Sequence, residues 1–159
     1  MERKMAILSR TVLSDTGTNW NMVSEPLRAA GWYGRTPGLH TISFTLRNFV
    51  GRIYVLATLE NSTEAADANN GWFPIYMAGV ESVPWVQFPP QDAQNTQPVF
   101  PTQRYGTQTT GTFCETFFGN FTFLKAGIDR DYLKDSATNI IDDNDKYAVG
   151  KLEQILINF

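Results

Sequence analysis

LHTISFTLRNFVGRIYVLATLENSTEAADANNGWFPI, residues 39–75, decides the fold. Ile42, Phe44 and Leu46 alternate with Thr41, Ser43, Thr45 and Arg47, the period-two pattern of a strand with one buried face. Asn48-Phe49-Val50-Gly51 turns the chain, and Ile53, Val55, Ala57 and Leu59 then alternate with Arg52, Tyr54, Leu56 and Thr58. The two runs are expected to form an antiparallel hairpin across a sandwich core. The polar connection Glu60–Gly71 predicts one helical turn around Thr63–Ala68, capped by Ser62 or Thr63. Trp72-Phe73-Pro74-Ile75 leads back to the sheet, with Trp72 expected to close one end of the sandwich.

Towards the N-terminus, Met5–Val12 reads as the first strand and Trp20–Val23 as a short strand or crossing. Leu27–Tyr33 follows, with Trp32 expected as a packing plug, and Arg35-Thr36-Pro37-Gly38 is a turn. Towards the C-terminus, Tyr76–Val80 and Val83–Phe88 predict a strand pair. Thr112–Ile128 resumes alternation around a turn or bulge at Gly119-Asn120. A polar, acidic stretch from Asp129 to Tyr147 leads to the strand Lys151–Phe159. Roughly eight short strands with turns between them and no long helix predict one all-β domain over residues 1–159. The expected architecture is an antiparallel, jelly-roll-like β-sandwich.

Residues 89–111, PPQDAQNTQPVFPTQRYGTQTTG, interrupt this order. So long a stretch without strand pattern is uncommon inside a domain and is usually functional or a linker. Its near lack of charge sets it apart from a solvated tail. Val99-Phe100-Pro101 forms an apolar knob poorly suited to water. The stretch is expected to be either an extended loop or arm that docks on a neighbouring subunit, with Val99, Phe100 and Tyr105 and the preceding Phe88 as interface residues, or an ordered surface loop folded on its own domain.

The 159-residue chain is 42% hydrophobic and 13% aromatic but only 18% charged, against about a quarter charged for a usual globular domain. Low charge with many aromatics fits a surface partly buried against partners or a sandwich core filled by rings. A net charge of −3 with no basic run argues against nucleic-acid binding. One cysteine, Cys114, makes no intrachain disulfide and fits assembly in a reducing compartment. Cys114 sits in an apolar strand pattern with no neighbouring histidine, so no reactive-thiol role is expected. No stretch has the length of a membrane span, and the early charged segment is too interrupted for a signal peptide.

No catalytic constellation, cofactor motif or metal spacing is legible. His40 is the sole histidine, and its expected role is structural. Asp142 and Asn144 begin like a calcium loop with Glu153 at the twelfth position. Lys146 and Tyr147 then stand where a ligand and a glycine are required, so the motif fails. Trp20, Trp32, Trp72, Trp85 and Tyr105 are candidates for a sugar-stacking platform, which makes a carbohydrate-binding module that recognises a host surface glycan the alternative function.

Three segments carry a resemblance: Gly51–Leu59 with the later Trp72-Phe73-Pro74-Ile75, Gly119–Leu133, and Gly150–Phe159. Together they resemble small β-sandwich virion proteins of tailed, particularly marine, bacteriophages. The resemblance spans residues 39–159 without the Pro-rich arm. It implies a non-enzymatic structural role at the neck, tail or head surface, through contacts with other virion proteins and copies of itself. It also implies assembly in host cytoplasm and incorporation into the virion, and it brings no catalytic residue, cofactor or metal.

Overall fold

Alternating apolar residues build two antiparallel sheets around one shared core. The computed structural model describes residues 9–17, 19–35, 38–77, 83–88, 110–131 and 150–159. In chain order these form β1 (Arg10–Ser14), β2 (Met22–Val23), β3 (Leu27–Arg28), β4 (Leu39–Arg47), β5 (Gly51–Thr58), α1 (Thr63–Ala68), β6 (Phe73–Pro74), β7 (Val86–Phe88), β8 (Gly111–Phe118), β9 (Phe123–Asp129) and β10 (Lys151–Asn158). The first sheet runs β1-β10-β4-β8. The second runs β2-β9-β5-β6, with β3 also on β9 and β7 also on β5. The protein is therefore an all-β sandwich, with ten strands among the described residues where roughly eight were expected.

The central hairpin does not form. β4 pairs with β10 and β8 in the first sheet, whereas β5 pairs with β9, β6 and β7 in the second. Residues 48–50 are an arch that carries the chain from one sheet to the other. Asn48 adopts φ +52°, and Phe49 is fully buried beneath the arch. A two-strand hairpin would have left Phe49 at an exposed tip; the apolar ring instead drops into the core, edge-on to Phe88 at 6.4 Å. Gly51 makes the close approach possible, because a Cβ there would stand 2.9 Å from both Phe49 Cζ and Arg130 Cγ. Residues 119–122 form a second arch at the opposite end, between β8 in the first sheet and β9 in the second.

The inward alternation holds along β4, where Ile42, Phe44 and Leu46 are buried, and along β5 through Ile53, Val55 and Ala57. It stops at Thr58: that residue is buried, and Leu59 faces solvent instead of continuing the buried row. In β10 a bulge between Leu152 and Gln154 switches the parity, so Leu152, Ile155 and Ile157 all reach the core. Ser62 caps α1 by accepting a hydrogen bond from Ala65 N–H at 3.1 Å, as its residue type predicts.

Three other expectations change. Trp32 is 43% exposed rather than a plug; its ring lies 5.2 Å from Phe123 with the Arg28 guanidinium 4.7 Å from its centre. Trp72 sits beside the second sheet, donating from Nε1 to Asp67 at 2.8 Å and lying under Lys125 Nζ at 4.3 Å, so it braces α1 rather than sealing the sandwich. Cys114 is exposed on the first sheet, opposite Ser43. The first half of the expected strand Met5–Val12, most of the expected strand Tyr76–Val80 and the acidic stretch 132–149 lie outside the described residues.

Candidate functional site

Register and arches divide the functional side chains among three places. At the end bearing the 48–50 arch, Arg130 is fully buried. It follows β9 and reaches across three chain segments: Nε donates to the Val50 carbonyl at 2.9 Å, Nη1 to Asn19 at 3.0 Å and Nη2 to Gly150 at 2.9 Å. Its guanidinium also lies 4.7 Å from the centre of the Phe49 ring. Carbonyl dipoles and a ring face solvate the cation in place of water, so Arg130 is a clamp on the loops at that end.

The other end is aromatic. His40 is fully buried and stacks on Phe117 at 4.8 Å, with Phe159 at 5.3 Å and Phe121 at 5.9 Å. Its Nδ1 lies 2.9 Å from the Gly38 carbonyl. A carbonyl only accepts, so Nδ1 carries the hydrogen and Nε2 is the bare nitrogen of a neutral ring. Nε2 is buried with no hydrogen-bond partner among the described residues. Burial pushes the His40 pKa below its ordinary value, opposed by the hydrogen bond to Gly38 and by the backbone of Phe117. These surroundings agree with the structural role expected of His40.

Around this packed end four large apolar side chains are exposed. Leu39 and Phe118 are register partners at the ends of β4 and β8 and are 43% and 65% exposed. Leu59, 64% exposed, follows β5, whose last residue pairs with Phe123. Trp32 rests on that same Phe123. The turn, strand ends and arch thus bring Trp32, Leu39, Leu59 and Phe118 to one end of the sandwich.

The third place is the outer face of the second sheet. Arg52 and Tyr54 point outward from β5, and Asp129 of β9 is the register partner of Arg52. Trp85, just before β7, lies under the Arg52 guanidinium at 4.2 Å. Gln87 Oε1 accepts from Arg52 Nε at 3.0 Å and fixes the guanidinium. With Pro74 and Pro84 these residues line a pocket of ≈ 260 Å³. Tyr54 crosses Gly127, where a Cβ would meet its hydroxyl at 2.5 Å and the Met22 carbonyl at 2.6 Å. Burial, and then the nearby Asp129 carboxylate, push the Tyr54 pKa up.

Of the residues expected to contact partners, Phe88 is a correction. It is fully buried and contacts the rings of Phe44, Phe49 and Phe113, so its surface is used inside the chain. The alternation that places Val86 and Phe88 on β7 carries Phe88 inward. Val99, Phe100 and Tyr105 lie outside the described residues, as does nearly all of the expected arm, residues 89–111. Of the carboxylates in the failed calcium motif, Glu153 pairs with Arg47 at 2.9 Å, while Asp142 lies outside the described residues. Among the described residues, no group of three or more His, Cys, Asp or Glu side chains is placed to hold a metal ion.

Sequence reading missed the exposed Leu39, Leu59 and Phe118, and it missed Arg52, Tyr54 and Asp129 as neighbours. Outward parity on β5 signals the shared face of Arg52 and Tyr54; only the register with β9 adds Asp129. No family model, curated protein or solved structure matches this chain.

Proposed function

We propose that this protein is a non-enzymatic structural component of a tailed-phage particle, acting by burying the apolar end of its sandwich against neighbouring subunits. The observation that carries the reading is the gathering of Trp32, Leu39, Leu59 and Phe118 at that end. Large apolar side chains exposed together at one end supply the kind of surface that an interface can bury. Large apolar and aromatic side chains with little charge form the centre of protein interfaces, which agrees with a chain only 18% charged.

The segments that resemble virion proteins support the reading in a second way. They supply β5, β9 and β10, the strands that hold both sheets together, so the resemblance rests on the framework itself. The partners are other virion proteins and further copies of this chain. Quantitative mass spectrometry of purified particles, scaled to the major capsid protein, tests the proposal. A copy number like that of the capsid protein means head decoration, and a small ring-sized number means neck or tail. Absence from the particles overturns it.

A further inference from the structure

We propose that the pocket on the outer face of the second sheet binds one neutral sugar residue. Trp85 is its apolar plate, and the Tyr54 hydroxyl and Asp129 carboxylate are its hydrogen-bonding groups. This site is at a distance from the apolar end and does not depend on the assembly role.

Size comes first. A pocket of ≈ 260 Å³ falls just below the range of about 300–1,000 Å³ typical of drug-sized ligands, and so suits a single ring. Charge comes second. Arg52 and Asp129 are register partners of opposite sign on the pocket floor. An anion meets Asp129 and a cation meets Arg52, whereas a neutral ligand can donate a hydroxyl to Asp129 without a charge facing either. Shape comes third. A sugar presents a face of C–H groups and a rim of hydroxyls that each donate and accept. Trp85 and the two prolines supply the apolar walls; the Arg52 guanidinium covers one face of the indole at 4.2 Å and holds it in place, so the sugar meets the part of the indole that lines the pocket.

The polar groups are also held in position. Asp129 Oδ1 accepts from the Asp131 N–H at 2.8 Å, which fixes the carboxylate. Gly127 seats Tyr54, because any larger residue there would displace the hydroxyl. Tyr54, like any tyrosine, is protonated at neutral pH, and burial with the nearby Asp129 carboxylate pushes its pKa further up, so its oxygen can both donate and accept. An apolar wall, a fixed acceptor and a hydroxyl thus stand around one small pocket, matching the C–H face and hydroxyl rim of a pyranose.

The test titrates the full chain with methyl glycosides of glucose, galactose, mannose and N-acetylglucosamine, read by tryptophan fluorescence and by amide chemical shifts. A single ring predicts weak binding, with a dissociation constant of about 1 mM. The expected result is saturable binding of at least one glycoside, with shifts at β5 and β9. Affinity should fall about tenfold or more in Trp85→Ala and in Asp129→Asn, the milder variant that keeps the side-chain shape. Phe118→Asp, at the far end, should bind like the parent. Four outcomes overturn the proposal: no saturable binding of any glycoside at about ten times 1 mM, undiminished binding in a folded Asp129→Asn, a response to acidic sugars alone, or a response to proline-rich peptides alone. Loss of particle incorporation in Phe118→Asp with sugar binding intact would separate this site from the assembly surface.

Discussion

At the residue scale, two buried polar side chains have opposite relations to charge. Arg130 is a permanent cation whose N–H groups meet three backbone carbonyls. Removing it takes a charged donor from all three carbonyls, and a hydrogen bond to a charged group is worth about 1.5–3 kcal/mol. Arg130→Ala is expected to lower the unfolding free energy read from urea denaturation by about 3 kcal/mol or more, and Arg130→Lys should restore little of it, since one ammonium cannot span three loops. His40 is held neutral instead. Its pKa is lowered in the folded chain, so below the ordinary histidine value of about 6.5 the unfolded chain takes up a proton that the folded one resists. Stability is therefore complete above that pH and falls as the pH drops through and below it. Thermal unfolding followed from pH 7.5 to pH 5 should show the loss in the parent. His40→Phe, which keeps the stack on Phe117, should flatten it; an unchanged slope would assign the acid sensitivity to other groups.

At the element scale, the arch of residues 48–50 is the feature that separates this fold from a meander of hairpins. Phe49 fills the space beneath it and contacts Phe88 and Arg130. Phe49→Ala is expected to cost about 3–5 kcal/mol in urea unfolding, the range for a buried phenylalanine. An effect near zero would mean that the ring is dispensable and the arch is set by its backbone alone. Gly127→Ala should destabilise by about 1–3 kcal/mol through crowding. Tyr54→Phe should not rescue it, because the Met22 carbonyl is backbone and stays 2.6 Å from the added carbon.

Local pattern made part of this legible. The buried rows of β4 and β5 follow from period two, and the Ser62 cap follows from its hydroxyl. Strand partners were not legible, because a row of alternating residues serves equally in a hairpin or an arch. The one local hint was Phe49, an apolar ring where a hairpin tip would be polar. The bulge at Leu152–Gln154 hid the inward row of β10 for the same reason: parity survives only until one residue is inserted. The pocket needed the pairing of Arg52 with Asp129, a contact between distant parts of the chain that no local window contains.

At the scale of the whole molecule, the two ends differ in kind. One is clamped by a buried cation; the other is a stack of rings with apolar side chains on its outside. Phe118→Asp combined with Leu59→Asp is expected to change stability by less than about 0.5 kcal/mol each, as for surface positions. The same pair should prevent incorporation into particles. Thermal unfolding and particle mass spectrometry on one preparation would read both; full incorporation of the folded double variant would remove this end as the assembly surface.

The place of β10 has a consequence for how the protein comes into being. β1 and β4 are both held by β10, and β1 has no other strand partner among the described residues. The first sheet therefore cannot close until residues 151–158 have left the ribosome, although β1 and β4 were made long before. A nascent chain that stalls earlier exposes the facing edges of both strands, which makes it prone to stray pairing. Emergence of β10 thus acts as the trigger for closing the first sheet, and a chain stopped before it lacks the strand that joins β1 to β4.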